Sequence, residues 1–149
     1  MEDIGLLKSF KFFRGLKTLE LAEINKLTER VVYRKGEIVV REGESTESIY
    51  IVKEGTVRVE KTGRLLTTLE SGSPIGEIAF VDKMPRSATV TADADSVLIR
   101  LPVSALERLL ERNTQLGAKV YKAVAVTLCE RLRDATDTLL LLSEREGGI

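Results

Sequence analysis

The chain has 149 residues, 43% of them hydrophobic, which is enough for one domain with its own core and too few for two domains of ordinary size. Lysine plus arginine and aspartate plus glutamate number 23 each, and this zero net charge argues against binding of DNA or RNA through bulk positive charge. The lack of histidine and the single cysteine, Cys129, exclude Ser-His and Cys-His nucleophilic pairs, HExxH zinc sites, intramolecular disulfides and cysteine clusters. No apolar run approaches the ~18 residues of a membrane span. We therefore expect a cytoplasmic protein without a membrane partner and without a metal or other cofactor.

The N-terminal region, residues 1–30, has the pattern of an amphipathic helix. Its apolar residues recur every three to five positions, and Thr18 and Glu20 suit the N-cap and the first turn. These signals predict a helix over Thr18–Glu29. Three closely spaced aromatic side chains precede it and are expected to pack the helix onto the core: Phe10, Phe12 and Phe13.

Residues 31–102 change to short β-type runs separated by turn glycines. Such runs, at about ten residues per strand, predict an all-β sandwich or barrel. Val57 and Val59 alternate with charged residues, so both are expected to face the barrel interior, which leaves open either a cavity for one small ligand or a solid core. The predicted strands are Val31–Tyr33, Ile38–Arg41, Ser48–Lys53, Thr56–Lys61, Leu65–Leu69, Ser87–Ala92 and Val97–Leu101.

Residues 103–149 return to a helical pattern. Ser104 suits the N-cap of a helix over Ala105–Arg112, and residues 113–117 are predicted to be a break. The polar, glycine-containing tail from Ser143 to Ile149 is predicted to fray.

Between the break and the tail, seven apolar positions are spaced four and three residues apart, as in a heptad seam. A seam of this kind predicts that two copies of the long helix form a homodimer. The alternative is that the helix folds back and buries the seam on the barrel. The seam residues are Tyr121, Ala125, Leu128, Leu132, Ala135, Leu139 and Leu142.

Residues 74–90 interrupt the strand pattern. Gly76 permits close backbone approach, and a short helical turn is predicted at Ile78–Phe80. The backbone amides of Ile78 and Ala79 would begin this turn with unpaired N–H groups, a geometry that binds anions.

Two charged side chains complete this segment. Arg86 can supply a guanidinium to the same anion. Glu77 would repel a phosphate, so we expect it to accept a hydrogen bond from another part of the ligand, such as a sugar hydroxyl. The alternative is that Glu77 and Arg86 form a structural ion pair in a barrel loop.

The run from Val32 to Leu101 resembles the cyclic-nucleotide-binding domain family, which includes the catabolite activator protein and protein kinase A regulatory subunits. The family's flanking helices extend the likeness over nearly the whole chain. It implies a mainly β fold with flanking α, namely a jelly-roll-like β-barrel with N-terminal helices and a long C-terminal helix. The residues that carry it are Tyr33-Arg34-Lys35-Gly36-Glu37, Arg41-Glu42-Gly43, Ile49-Tyr50-Ile51-Val52, Glu54-Gly55-Thr56-Val57, Gly76-Glu77-Ile78-Ala79 and Pro85-Arg86-Ser87-Ala88-Thr89-Val90.

The resemblance implies a ligand and the residues that bind it. Glu77 would bind the ribose 2′-hydroxyl of cAMP, or less readily cGMP, while Arg86 and nearby amides bind the cyclic phosphate. The implied ligand-binding residues are Gly76, Glu77, Ile78, Ala79, Arg86, Ser87 and Ala88. Val59 and Leu66 are candidate pocket walls, and Arg133, Ala135 and Thr136 are the part of the last helix that would reach the purine.

We therefore expect a non-catalytic sensor of a cyclic purine nucleotide that signals through its C-terminal helix to a second subunit or to an unidentified downstream protein. The chain ends at Ile149 with no DNA-binding domain after the long helix, which favours a stand-alone module. Two alternatives are a degenerate barrel that serves only as a dimerising scaffold, and a cupin-like catalyst whose metal would be held by carboxylates alone.

Overall fold

The strand-forming runs between residues 29 and 102 pair into two four-stranded antiparallel sheets in the computed structural model, which describes residues 3–147. One sheet has the order β1-β8-β3-β6 and the other has the order β2-β7-β4-β5. The strands are β1 (Glu29–Tyr33), β2 (Ile38–Val40), β3 (Ser48–Glu54), β4 (Val57–Lys61), β5 (Arg64–Leu69), β6 (Pro74–Ile75), β7 (Thr89–Ala92) and β8 (Ser96–Pro102).

Helices flank the sheets at both ends of the chain. At the N-terminus lie two short α-helices and one 3₁₀ turn, η1, and two further α-helices follow β8. One four-residue helix lies between β6 and β7, within the segment that interrupts the strand pattern. The helical elements are α1 (Ile4–Leu7), η1 (Lys11–Phe13), α2 (Thr18–Asn25), α3 (Ala79–Asp82), α4 (Val103–Arg112) and α5 (Thr114–Gly147).

Two hydrophobic clusters form the core. One lies inside the barrel and includes Val57, with Val59 packed against it, which confirms the inward orientation expected for both. The other joins the N-terminal elements to α4, α5 and the outer face of the β3–β8 sheet. Its centre holds the three N-terminal aromatic side chains, which are almost fully buried as expected: Phe10, Phe12 and Phe13.

The first long helix is shorter than predicted. Helix α2 ends at Asn25, because Thr28 turns the chain with two hydrogen bonds, from its N–H and from its Oγ1, to the Asn25 carbonyl, and Glu29 already belongs to β1. The N-cap is Lys17 and not Thr18. The Lys17 amide donates to the Glu20 side chain at 2.9 Å, so the acidic residue in the first turn has the expected role.

All seven predicted strands are confirmed to within two residues at their ends, and one further strand is present. Strand β6 was not predicted, because two residues starting with a proline have no recognisable alternation. It pairs with Tyr50 and Ile51 of β3. The strand predicted to begin at Ser87 begins at Thr89, since residues 87 and 88 still belong to the irregular segment.

The break between the last two helices is a single residue. Helix α4 begins at Val103 after an N-cap at Pro102, so the Ser104 cap was wrong. Asn113 alone separates α4 from α5, and its Oδ1 accepts a hydrogen bond from the Leu116 amide at 3.1 Å. Gly117 is helical, and a Cβ there would lie 2.6 Å from the Leu110 carbonyl oxygen. This glycine therefore allows α5 to approach α4 closely and does not end a helix.

Helix α5 buries one face only in its first half. Leu116, Val120 and Val124 pack on the N-terminal core and Thr127 is also buried, whereas the predicted heptad seam lies on another face and stays exposed. Helix α5 therefore does fold back on the rest of the domain, but it buries a face other than the seam. Dimerisation through the seam stays a prediction. The helix continues to Gly147, so the predicted fraying is wrong for residues 143–147, while Gly148 and Ile149 lie outside the described residues.

None of the helices within residues 3–147 combines the length and the apolarity needed to cross a membrane.

Candidate functional site

A cavity of about 420 Å³ lies between the barrel and residues 74–90. Val59 lines it, but Leu66 does not and is 58% exposed, because it lies on the outer side of the edge strand β5. Every residue in the predicted ligand-binding set lines the cavity: Gly76, Glu77, Ile78, Ala79, Arg86, Ser87 and Ala88.

Arg86 is a buried cation. Its residue is only 8% exposed, its Nη2 donates to the Ser48 carbonyl oxygen, and its Cζ lies 5.9 Å from the centre of the Tyr50 ring. Burial lowers the pKa of the Arg86 guanidinium, although an arginine remains charged at neutral pH. Within residues 3–147, no carboxylate forms an ion pair with it. The charge of Glu44 acts on Arg86 from a distance without forming an ion pair, so the buried guanidinium is available to bind an anion.

Gly76 makes room for this guanidinium. Its φ of +82° is a conformation that residues with a side chain rarely adopt, and a Cβ at this position would lie 2.3 Å from Nη1 of Arg86. The backbone at Gly76 therefore does lie close to another group, as expected, and that group is the Arg86 guanidinium.

Glu77 connects three parts of the molecule. The residue is 8% exposed, and its Oε2 accepts a hydrogen bond from the backbone amide of Lys11 in η1 at 3.0 Å. Its Oε1 accepts a hydrogen bond from Nη2 of Arg131 in α5 at 3.2 Å. Since its cationic partner is Arg131, the alternative of a structural Glu77–Arg86 ion pair is wrong.

Arg131 lines the cavity and was missed by the sequence analysis. Arg133 and Thr136, which were expected to reach the purine, are exposed and lie outside the cavity wall, as does Ala135. The buried positions of α5 end at Thr127, and a step of four residues along the same face leads to Arg131. This periodicity could have pointed to Arg131, whereas the heptad seam pointed to the wrong face.

The short helix in the segment begins one residue later than predicted. Helix α3 follows an N-cap at Ile78, and the amide of Ala79 donates to the Gly76 carbonyl at 3.0 Å. The expectation that the Ala79 N–H is unpaired was therefore wrong. Phe80 of α3 is buried, with ring centres 6.3 Å from Phe12 and 6.2 Å from Tyr121. The segment is therefore packed between η1 and α5.

The loop between β2 and β3 fixes the backbone at Arg86. The Arg86 amide donates to the Glu44 carbonyl at 2.8 Å, and the Gly43 amide donates to the Arg86 carbonyl at the same distance. The hydroxyl of Thr46 donates to the Met84 carbonyl at 3.1 Å. These bonds hold the end of the segment against the barrel where the chain re-enters β7.

No group of three or more His, Cys, Asp or Glu side chains in the described part of the chain is placed to hold a metal ion. The metal-dependent catalyst alternative requires such a group.

A family model described as "Cyclic nucleotide-binding domain" matches residues 30–113, which is more than half of the chain. The chain belongs to the cyclic nucleotide-binding domain family. Domains of this family are regulatory and not catalytic. The expected family and the expected jelly-roll fold are thereby confirmed.

Three relatives illustrate the likeness. The cAMP-dependent protein kinase regulatory subunit of Debaryomyces hansenii is 34% identical over 105 residues, which are 70% of this chain and 23% of that protein. The cGMP-dependent protein kinase of Toxoplasma gondii is 35% identical over 112 residues, which are 73% of this chain and 11% of that protein. The crystal structure of the Thermus thermophilus catabolite activator protein matches with a TM-score of 0.72 and 30% identity, over 89% of this chain and 63% of that one. The chain thus spans less than a quarter of the length of the two curated protein kinase relatives.

Proposed function

We propose that this domain binds a cyclic purine nucleotide in the cavity beside residues 74–90. The observation that carries the proposal is Arg86, a buried guanidinium on the cavity wall with no carboxylate partner within residues 3–147. Burying a charge without compensation is costly, and a phosphate supplies the missing negative charge through charge-assisted hydrogen bonds. Ser87 and Ala88 follow along the same wall, so their amides and the Ser87 hydroxyl add donors beside the phosphate.

In this arrangement Glu77 binds the ribose. A carboxylate is a strong acceptor for the 2′-hydroxyl, and Glu77 lines the same cavity as Arg86 without being paired to it. The barrel side of the wall is apolar, with Val40, Val59 and Leu69, while Asp82 and Arg131 add two charged side chains elsewhere on the wall. Guanine has one more polar group on its edge than adenine, and burying it without a partner is costly. We therefore propose that cAMP is preferred to cGMP.

The ligand signals through α5. Arg131 of this helix holds Oε1 of Glu77 at 3.2 Å, so a ribose hydroxyl that binds Glu77 competes with Arg131 for that oxygen. The stack of Phe80 on Tyr121 gives α3 a second contact with α5. A change at the cavity therefore alters the equilibrium position of the helix. A second copy of the chain, docked along the heptad seam, or a downstream protein would respond to this shift.

A cytoplasmic location is part of the same proposal, because the one free thiol, Cys129, is exposed and suits a reducing compartment.

Calorimetric titration of the purified protein with cAMP and cGMP, side by side, tests the proposal. We expect saturable binding of both with tighter binding of cAMP, and a melting temperature that rises with nucleotide concentration. If neither nucleotide produces heat of binding or raises the melting temperature, the proposal is overturned and the degenerate scaffold is favoured instead. Tighter binding of cGMP would overturn the purine preference alone.

A further inference from the structure

Strand β3 presents two groups to Arg86. Ser48 offers its backbone carbonyl, and Tyr50, two residues further along the strand, offers its side-chain ring. The Ser48 carbonyl accepts a hydrogen bond from Nη2, and the Tyr50 ring lies under the guanidinium, with its centre 5.9 Å from Cζ. Tyr50 is only 7% exposed and Arg86 only 8%, so both the ring and the cation are largely shielded from bulk solvent.

The third side of the guanidinium is closed by backbone. Nη1 lies against Gly76, where a Cβ would come within 2.3 Å. Arg86 is therefore bounded by a ring, a carbonyl oxygen and a glycine, and it faces the cavity on the side that remains.

An aromatic ring is well suited to hold a cation in this setting. A carboxylate partner would neutralise Arg86 and compete with an anionic ligand, whereas a ring attracts the cation and leaves its charge available. Fixing the planar guanidinium in advance also lowers the entropy lost when a phosphate binds.

We propose that Tyr50 is a positioning residue for anion binding, because its ring holds the Arg86 guanidinium in the orientation that serves the cavity. This inference rests on the proposed function for its effect on affinity. The competing explanation is that Tyr50 only fills the barrel core, where it packs with Val52 and Leu98.

Calorimetric titration with cAMP separates the two explanations. Tyr50→Phe keeps the ring, and Tyr50→Leu keeps apolar bulk without a π face. We expect affinity within about twofold of the original for phenylalanine and a loss of roughly tenfold for leucine. Val52→Ala, a core deletion on the same strand, serves as the control and should lower the melting temperature without changing affinity. Equal losses for phenylalanine and leucine, or no loss for a folded leucine variant, would overturn the proposal.

A double-mutant cycle tests whether the effect passes through Arg86. In an Arg86→Ala background, Tyr50→Leu should cause no further loss of affinity. A second tenfold loss in that background means that Tyr50 acts independently of Arg86, and the proposal fails.

Side-chain NMR of Arg86 gives a readout that needs no ligand. The ring current of Tyr50 should shift the guanidinium protons upfield in the original protein and in Tyr50→Phe, and the shift should disappear in Tyr50→Leu. If leucine does not fold, Tyr50→Met replaces it. If the protein binds neither nucleotide but shows this pattern of shifts, Tyr50 does hold the Arg86 guanidinium and only the proposed nucleotide binding is wrong. A proton shift that survives removal of the ring overturns the role of Tyr50 whether or not nucleotide binds.

Discussion

Arg86 is the residue whose removal should weaken binding of an anion most directly. Arg86→Ala leaves a phosphate with hydroxyl and backbone donors only, and the loss of one charge-assisted partner costs at least ~1.5 kcal/mol, or about tenfold in affinity. The fold should survive, since the variant also removes a buried charge that forms no ion pair with a carboxylate within residues 3–147. Titration with cAMP and thermal melting measure the two effects. Arg41→Ala, at a surface arginine outside the cavity wall, is the control, and an unchanged affinity in folded Arg86→Ala contradicts the anion site.

Glu77 is expected to distinguish the sugar from the phosphate. In Glu77→Gln the side-chain carbonyl still accepts a hydrogen bond from the Lys11 amide, but the charge that strengthens a bond to the 2′-hydroxyl is lost. Affinity for cAMP should fall by about fivefold, while affinity for 2′-deoxy-cAMP changes little. Titration of both ligands on both proteins measures the difference. If the two ligands lose affinity equally, Glu77 serves only to connect Lys11 with Arg131.

Gly76 offers a test with a built-in control. Gly76 and Gly36 have φ values of +82° and +91°, so alanine at either position should cost ~1–2 kcal/mol of backbone strain. Only at Gly76 does the new methyl group collide with Arg86, because no atom lies within 4 Å of a Cβ at Gly36. Chemical denaturation should show a loss of stability in both variants, and titration with cAMP should show weaker binding in Gly76→Ala alone. Weakened binding in Gly36→Ala would mean that strain, and not the collision, controls affinity.

The helices, strands and turns that depend on a local sequence pattern were the ones that the sequence predicted. Alternating valines and turn glycines located seven strands, and the segment around Gly76 and Arg86 located the cavity wall. Three features depended on contacts between distant residues and were missed. Strand β6 exists because two residues pair with β3, and Gly117 lies inside a helix because α4 packs against it. Arg131 reaches Glu77 across 54 positions of the sequence, and the spacing that leads to it along α5 was overlooked in favour of the heptad seam on another face.

The N-terminal helix α1 is fastened to the barrel by a buried carboxylate. Asp3 accepts hydrogen bonds from Arg30 of β1 at 3.0 Å and from Lys53 of β3 at 2.6 Å. Burial alone would raise the pKa of the Asp3 carboxyl, but the hydrogen bonds and charges of Lys53 and Arg30 outweigh it and lower the pKa below the usual 3.8. The group that joins α1 to the sheet is therefore ionised at neutral pH.

The lowered pKa of Asp3 predicts how stability depends on pH. A carboxyl with a lowered folded-state pKa stabilises the fold above its unfolded pKa, and the stabilisation is lost as pH falls from about 3.8 through the folded value. Denaturation of the original protein should therefore show a free energy of unfolding that decreases more steeply in this range than that of Asp3→Asn. The variant should be less stable at pH 7, and parallel pH profiles would contradict the role of Asp3.

For the whole molecule, the unexplained feature is the exposed second half of α5. The helix has 34 residues and is ~51 Å long at 1.5 Å per residue, yet its buried face ends at Thr127. Tyr121, the first residue of the predicted seam, stacks on Phe80 within the same chain. The part of the seam available to a partner therefore begins at Ala125 and extends along a projecting helix.

This projecting apolar stripe predicts a homodimer. Leu132 and Leu139 of the seam are 69% and 67% exposed, and an exposed stripe at heptad spacing is stable in water when a second helix covers it. Ala135, between them, allows the two helices to approach closely, and a symmetric pair satisfies both copies at once. Sedimentation at micromolar concentration should show a dimer that Leu132→Glu converts to a monomer. Leu141→Glu, at an equally exposed position of the same helix but outside the seam, should leave the dimer intact, because its side chain faces away from the partner. A monomeric original protein contradicts the dimer, and equal dissociation by both variants would place the contact elsewhere on α5.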